Sequence, residues 1–258
     1  MTHVSTSPQT GRSYGLHALT MDLSAYLLSI VIGSALWATA FPSVGLWGSH
    51  VAQLSAALLL LRVAGLGAGF RVGKPGRARA IGLTLVAGLP FCVIGMTEKL
   101  ISARWAMVHA PEQVSAFLSE LRTISGFGLF VQAAYFLILI PVAEEVAFRG
   151  YFHARLRSAL PGSFRLGRLR LTRGAVASGA LFSAFHMVNW VFGKQAPSLW
   201  LCLVGHAGQF AFGVAAAYLY DETGSLWPPT VIHSVVNALT QLTVPLFLLM
   251  LARSGIPG

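Results

Sequence analysis

The sequence predicts an all-α integral membrane protein, a polytopic bundle of about seven transmembrane helices, or eight if one segment is re-entrant or amphipathic. Composition is the first observation behind this prediction, because 55% of the 258 residues are hydrophobic and only 10% are charged. Soluble domains average about 25% charged residues. The second observation is that several apolar runs reach the ~20 residues that a helix needs to cross a bilayer. The lipid bilayer is therefore an expected partner of the chain.

The predicted helices follow the apolar runs in order along the chain. The expected spans are about 23–41, 47–66, 80–96, 127–145, 174–192, 198–220 and 228–251. Between the third and fourth spans the charge is mixed, and apolar residues recur at helical spacing at Val114, Phe117, Leu118 and Leu121. This spacing predicts a surface amphipathic helix.

The same runs divide the chain into regions. We expect a polar cytoplasmic tail, N-terminal transmembrane helices with the amphipathic connection, a transmembrane core with the candidate catalytic residues, and a C-terminal tail. These regions cover residues 1–21, 22–126, 127–251 and 252–258.

Positive charge is concentrated in two short connections, which predicts the topology of the chain. The net charge is +10, and much of it lies in 71–79 and 149–173. Basic connections stay on the cytoplasmic side, so this charge does not indicate a nucleic-acid partner. Because two predicted spans separate the connections, both can be cytoplasmic, which places the N-terminus inside and the C-terminus outside. The Ala-, Gly- and Arg-rich composition suggests a bacterial inner membrane.

Two adjacent carboxylates, Glu144 and Glu145, end the fourth predicted span. The chain has only eight acidic residues, and the other acidic residues lie at segment edges or in polar connections. Ionisable groups within a membrane are costly, so this pair is a candidate functional site. Arg149 follows Glu145 by four residues and is expected to pair with it. Glu144 is turned by about 100° from Glu145, which leaves it for chemistry in a cavity that we expect to open on the cytoplasmic side.

Two later predicted helices carry polar groups at helical spacing. His186 lies in the fifth span, and His233 and Asn237 lie four residues apart on one face of the seventh. Polar faces within a membrane must point into the bundle or toward water. A carboxylate and a histidine can activate water, and a second histidine with an amide can donate hydrogen bonds to an oxyanion. This set of groups favours hydrolysis.

Other hydrolytic designs fit the sequence less well. There is no His-Glu-x-x-His motif of the usual helical zinc site, no Gly-x-Ser within a span and no Gly-x-Gly-Asp. No cofactor and no metal is therefore expected. A zinc-dependent membrane protease that uses the same residues stays open as an alternative.

Three motifs resemble those of a known family in order and spacing. They are Glu144-Glu-Val-Ala-Phe-Arg-Gly150, Phe182-x-x-x-His186 and His233-x-x-x-Asn237. The family is the CAAX-protease and bacteriocin-processing (CPBP, or Abi) family of intramembrane glutamic endopeptidases. The resemblance covers about 127–237 and does not include the first spans.

The resemblance implies an intramembrane endopeptidase that cleaves a peptide or a membrane-anchored protein. Glu144 would be the general base, with His186 assisting, and His233 and Asn237 would stabilise the oxyanion. Glu145 and Arg149 would have supporting roles. A non-catalytic immunity or scaffold protein of the same fold is the alternative.

Overall fold

The computed structural model describes residues 15–41, 45–66, 77–123, 125–192 and 199–254. Most of the predicted N-terminal tail, most of the basic connection 71–79 and the last residues of the C-terminal tail lie outside these ranges. The helices are α1 (Leu16–Ala40), α2 (Gly45–Val63), α3 (Arg77–His109), α4 (Pro111–Thr123), α5 (Gly126–Ala159), α6 (Arg173–Phe192), α7 (Leu199–Thr223) and α8 (Trp227–Ser254).

The predicted class, an apolar helical bundle, is confirmed for the described residues. By length and apolar composition, four of their helical segments can cross a membrane: His17–Ala40, Thr84–His109, Gly126–Ala159 and Cys202–Thr223. Large apolar side chains cover much of the outside, and Val86 is 72% exposed and Phe127 75% exposed. Such a surface fits hydrocarbon rather than water.

Several helix ends differ from the predicted spans. α1 begins at Leu16 rather than near Leu23, because Leu19 also packs against the core. α3 does not stop near residue 96 but continues to His109. The charged pair Glu98–Lys99 marks a polar connection in the sequence, yet both residues line an internal cavity, so the helix continues through them. The amphipathic helix is present as α4.

α5 is a continuous helix of 34 residues whose winding changes twice. It is α-helical over Gly126–Ala134, Ile140–Glu145 and His153–Ala159, and π-helical over Tyr135–Leu139 and Val146–Phe152. π-helical turns within α-helices are rare and frequent at functional sites. The first of these turns directly precedes the segment with the two glutamates, and the second directly follows it.

Pro141 leaves the first π-helical turn without one of its backbone hydrogen-bond donors. Proline has no backbone N–H, so it cannot donate to a preceding carbonyl. In π-helical register the missing donor would have bonded to the carbonyl of Phe136, and in α-helical register to that of Leu137. Side chains of α8 donate to these two oxygens instead, from Asn237 at 3.2 Å and from Ser234 at 2.7 Å.

The core of the bundle surrounds the second half of α5. Every residue from 143 to 153 is buried. α6 and α7 approach closely beside it because both carry glycine at the crossing point: a Cβ on Gly213 would lie only 2.7 Å from the Cα of Gly179. This close approach brings the Gly213 carbonyl to the buried part of α5.

A short antiparallel hairpin joins α5 to α6, where the sequence predicts only a basic connection. Its strands are β1 (Ser163–Leu166) and β2 (Leu169–Thr172), with Arg165 opposite Arg170. Gly167, at φ +60°, forms the turn in the left-handed region that favours glycine. Because side chains alternate along a strand, arginines lie on one face of the hairpin and apolar residues on the other.

Candidate active site

Glu144 lies in the middle of the bundle with three imidazole rings around its carboxylate. The side chain is buried and lines a cavity of about 400 Å³. The Nε2 atoms of His186 and His233 lie 3.6 and 3.7 Å from Glu144 Oε2, and Nε2 of His50 lies 3.7 Å from Oε1. Asn237 lines the same cavity. The four residues predicted to be catalytic are therefore brought together from three helices.

The cavity beside Glu144 can hold a water molecule that bridges its carboxylate and an imidazole. Distances of 3.6–3.7 Å exceed those of hydrogen bonds, which for N–H···O are about 2.7–3.2 Å. Glu144 Oε2 is buried and has no hydrogen-bond partner among the described residues. A water molecule about 2.8 Å from two such atoms would hydrogen-bond to both. The carboxylate and the imidazoles can thus share a water rather than contact each other directly.

Glu145 and Arg149 form the ion pair that their spacing predicts. Arg149 Nε lies 3.0 Å from Glu145 Oε2, and both side chains are fully buried. The guanidinium group also donates to the Gly213 carbonyl at 3.4 Å and lies over the Phe182 ring, 4.6 Å from its centroid. The other oxygen of Glu145 accepts a hydrogen bond from His233 Nδ1 at 2.8 Å. The pair therefore fixes the orientation of a site histidine.

Hydrogen bonds at the Nδ1 atoms determine whether the Nε2 atoms of His186 and His233 are donors or acceptors toward the cavity. His186 donates its Nδ1–H to the Phe182 carbonyl at 2.9 Å, so in the neutral ring Nε2 is an acceptor facing Glu144. His233 donates its Nδ1–H to Glu145, so in the neutral ring its Nε2 is also an acceptor. To donate a hydrogen bond from Nε2, His233 must carry a second proton.

Asn237 is held by α5 in an orientation suited to donation. One N–H of its side-chain amide donates to the Phe136 carbonyl at 3.2 Å. A side-chain amide has two N–H donors, and Asn237 also lines the cavity. The second donor is available to a group bound there.

His50 on α2 belongs to the site, although no predicted motif contains it. Its Nδ1 atom is hydrogen-bonded to the Tyr135 hydroxyl at 2.8 Å and to Ser49 Oγ at 3.1 Å. The indole of Trp47 stacks on Tyr135 with ring centroids 5.4 Å apart. In the sequence, His50 is a histidine near the start of an apolar run. It has no motif partner at helical spacing, and its contacts are distant in sequence.

The cavity extends from Glu144 between the helices and has a mixed lining. Its volume lies within the range of about 300–1,000 Å³ that small-molecule sites occupy. Polar groups away from Glu144 include Glu98, Lys99 and Gln241. Apolar side chains make up the remaining walls, contributed mainly by Phe91, Ile94, Phe136, Ile140, Val204 and Phe212. Such a lining can hold apolar side chains and offer polar groups to a peptide backbone.

Within the ranges the structure covers, no three His, Cys, Asp or Glu side chains have the arrangement of a metal site.

The fold and the site together define a helical membrane protein with a buried acid–histidine centre. Ionisable groups buried inside a membrane bundle and lining a cavity mark a functional site.

Residues 126–239 match the family model described as Type II CAAX prenyl endopeptidase Rce1-like. The resemblance to the CAAX-protease and bacteriocin-processing family is thereby confirmed over this part of the chain. The matched region contains the predicted residues Glu144, His186, His233 and Asn237, and it excludes His50. No curated protein and no solved structure gives a significant match to the chain.

Proposed function

We propose that the chain is an intramembrane glutamic-type endopeptidase that hydrolyses a peptide bond of a membrane-associated substrate. The observation that carries this proposal is the position of the Glu144 carboxylate. It lies 3.6 Å from the Nε2 of His186 and 3.7 Å from that of His233, at a cavity within the region matched by a CAAX-protease family. The family match supports a peptidase, and the geometry supports the glutamic mechanism.

In the proposed mechanism, Glu144 and His186 activate the water molecule. A water molecule in the cavity that bridges Glu144 Oε2 and His186 Nε2 can donate a hydrogen bond to each of these acceptors, which leaves a lone pair on its oxygen free to attack. In the chemical step Glu144 takes a proton as the water oxygen bonds to the carbonyl carbon, and the carbonyl electrons move to its oxygen. Collapse of this intermediate breaks the C–N bond, and the leaving nitrogen takes the proton from Glu144.

In the same mechanism, Asn237 and His233 stabilise the oxyanion that forms on the substrate carbonyl. Asn237 lines the cavity, and because one N–H of its amide is held by the Phe136 carbonyl, the other is the donor left for the oxyanion. His233 can donate from Nε2 when its ring is doubly protonated, with the carboxylates of Glu144 and Glu145 as the adjacent negative charges. Donors fixed before the reaction stabilise the developing charge without reorganisation.

Glu145 and Arg149 act through His233 rather than on the substrate. Glu145 binds His233 Nδ1 with one oxygen and Arg149 with the other. The Gly213 carbonyl and the Phe182 ring then hold the guanidinium group. This chain of contacts links the orientation of a site histidine to the packing of α6 and α7.

In the membrane, we expect α2, α6 and α8 to cross the bilayer together with the four apolar segments, which gives seven spans. α6 has 20 residues and α8 has 28. At 1.5 Å per residue, each is long enough for a hydrocarbon layer of about 30 Å. The chain would then be an integral protein of a bacterial inner membrane with a cytoplasmic N-terminus. Its substrates would be peptides or membrane-anchored proteins.

A comparison of membrane proteomes tests the proposal. Cells that produce the wild-type chain should contain new peptide termini that are missing from cells producing Glu144→Gln at the same level. Glu112→Gln, an exposed acid on α4, is the matched control and should give the wild-type pattern. Identical termini with the wild type and Glu144→Gln would instead fit the non-catalytic alternative.

A further inference from the structure

We propose that the active-site cavity opens on the extracytoplasmic side of the membrane and takes substrate segments exposed at that face. The part that concerns substrates rests on the proposed endopeptidase function. The direction of opening rests on the depth of the lining residues and on the charge of the connections.

The bundle has one end that can be identified by its arginines, here called the basic end. α5 ends there at Ala159, the hairpin follows, and α6 begins there at Arg173. α7 ends at the same place, because Asp221 accepts hydrogen bonds from His153 at 2.9 Å and from Thr172 at 2.9 Å. α8 begins directly after α7, at Trp227.

The cavity lies away from the basic end on both helices that end there. On α5 the lining residues are Phe136, Ile140 and Glu144, all in the part that precedes the buried 145–153 segment. On α7 they run from Val204 to Phe212, from near the start of the helix to its middle. Glu144 is therefore the lining residue of α5 that is nearest to the basic end.

The helices that begin at the basic end lead to the same result. On α6 the lining residues are Phe182, at the middle of the helix, and His186, in its second half. On α8 the lining starts at His233 and continues away from the basic end to Gln241. Each of these helices reaches the cavity only after it has left the basic end.

A buried layer closes the route from Glu144 toward the basic end. Phe148, Tyr151 and Phe152 on α5 are at most 1% exposed. Tyr26 of α1 packs edge-on against Phe152 with ring centroids 5.1 Å apart, and the Tyr151 hydroxyl donates to Asp22 at 2.5 Å. Water or a peptide cannot pass through this layer without unpacking the core.

Charge then assigns a side of the membrane to each end. The 160–172 connection at the basic end carries Arg165, Arg168 and Arg170. At the other end, 42–44 carries no basic residue, 110–125 carries only Arg122 and 193–198 carries only Lys194. The excess of arginine marks the cytoplasmic side. An opening away from it faces outward, contrary to the cytoplasmic opening expected from the sequence. The sequence places Glu144 at the end of a span, but α5 continues to Ala159 and leaves Glu144 well inside it.

Cysteine accessibility tests the direction of opening without any need for turnover. Cys92 and Cys202 would first be replaced by alanine. Gln241→Cys and Glu98→Cys then place a thiol in the cavity, and Arg168→Cys places a matched thiol in the exposed hairpin turn. With a membrane-impermeant maleimide on intact spheroplasts, we expect labelling of the two cavity thiols and labelling of the hairpin thiol only after lysis.

Two results would overturn the proposed opening. One is labelling of the hairpin thiol but not of the cavity thiols on intact spheroplasts, and the other is labelling of all three thiols on intact spheroplasts. The positions of cleavage give the second readout. Termini that depend on Glu144 should map to extracytoplasmic segments, and termini in cytoplasmic segments would overturn the substrate inference. If the thiols label as expected but no termini depend on Glu144, the endopeptidase proposal fails while the outward opening stands.

Discussion

The side-chain amide of Asn237 on α8 donates a hydrogen bond to the backbone carbonyl oxygen of Phe136 on α5, 3.2 Å away. This oxygen is available because residue 141, its partner in π-helical register, is proline and has no N–H. A backbone feature of the helix that carries Glu144 therefore orients an amide on a different helix. The proposed oxyanion donor and the proposed general base are thus aligned by the same short stretch of chain.

Removal of the Asn237 amide should affect the chemical step rather than the fold. We expect Asn237→Ala to lower kcat by about 10²–10³-fold, the loss seen when one oxyanion donor is removed, or about 2.7–4 kcal/mol. Ser234→Ala is the matched control, because it removes the neighbouring side-chain donor to α5, at the Leu137 carbonyl, together with its contact to the Thr230 carbonyl within α8, and leaves the Asn237 amide in place. Steady-state kinetics on a reporter substrate gives the measurement. A loss for Ser234→Ala as large as that for Asn237→Ala would refute the oxyanion role.

Restoration of a backbone donor at residue 141 should loosen Asn237 indirectly. Pro141→Ala supplies an N–H that competes for the Phe136 carbonyl. We expect a roughly 5-fold fall in kcat, the equivalent of losing one hydrogen bond of about 1 kcal/mol. Combining Pro141→Ala with Asn237→Ala should add little to the effect of Asn237→Ala alone. Independent, multiplicative effects in the double variant would contradict this coupling.

The buried ion pair of Glu145 and Arg149 should contribute to the free energy of unfolding of the protein. Arg149→Met leaves the Glu145 carboxylate buried without its cation, which typically costs about 3–5 kcal/mol. Glu145→Gln combined with Arg149→Met removes both charges, and we expect it to recover part of that loss. Thermal unfolding in detergent measures both variants. A double variant less stable than Arg149→Met would show that the charge of Glu145 is satisfied elsewhere.

His50 should contribute to catalysis although it lies outside the matched family region. We expect His50→Ala to lower kcat by roughly 10-fold with little change in KM, less than the ~10²–10⁴-fold of a full general acid–base group. Tyr135→Phe should have a smaller effect in the same direction, because His50 keeps its contact with Ser49. An effect confined to KM would instead place His50 in substrate binding.

Chelation separates the glutamic mechanism from the zinc alternative. We expect purified wild-type protein to keep its activity after dialysis against a strong zinc chelator, because the proposed water is activated by Glu144 and His186. A known zinc peptidase treated in parallel confirms that the chelator works. Loss of activity that added Zn²⁺ restores, but Mg²⁺ does not, would assign the site to a metal.

The residues around Glu144 could be predicted from the sequence largely because polar groups are costly in a membrane. Glu144, His186, His233 and Asn237 stand out against apolar runs, and their spacing places them on inward faces. The pair of Glu145 with Arg149 follows from the same periodicity, even though the intervening residues are π-helical.

His50 and the winding of α5 depend on contacts that no local pattern encodes. His50 meets Tyr135 across 85 residues of sequence, and a lone histidine in an apolar run is compatible with simple packing. Glu98 and Lys99 suggest a connection because charged residues usually lie outside a span, yet they face a cavity inside it. The sequence also cannot reveal which side of Glu144 is filled by side chains.

The π-helical turn at Tyr135–Leu139 constrains how the chain length can vary during evolution. An α-helical residue advances the helix by about 100°, so deleting one residue from the α-helical part that leads into this turn, Gly126–Ala134, would rotate the two glutamates relative to everything before them. One additional residue would do the same in the opposite sense. Substitutions of exposed side chains in this stretch should be tolerated, while insertions and deletions should not. We therefore expect the number of residues between Ser125 and Glu144 to be as strictly constrained as the glutamates themselves.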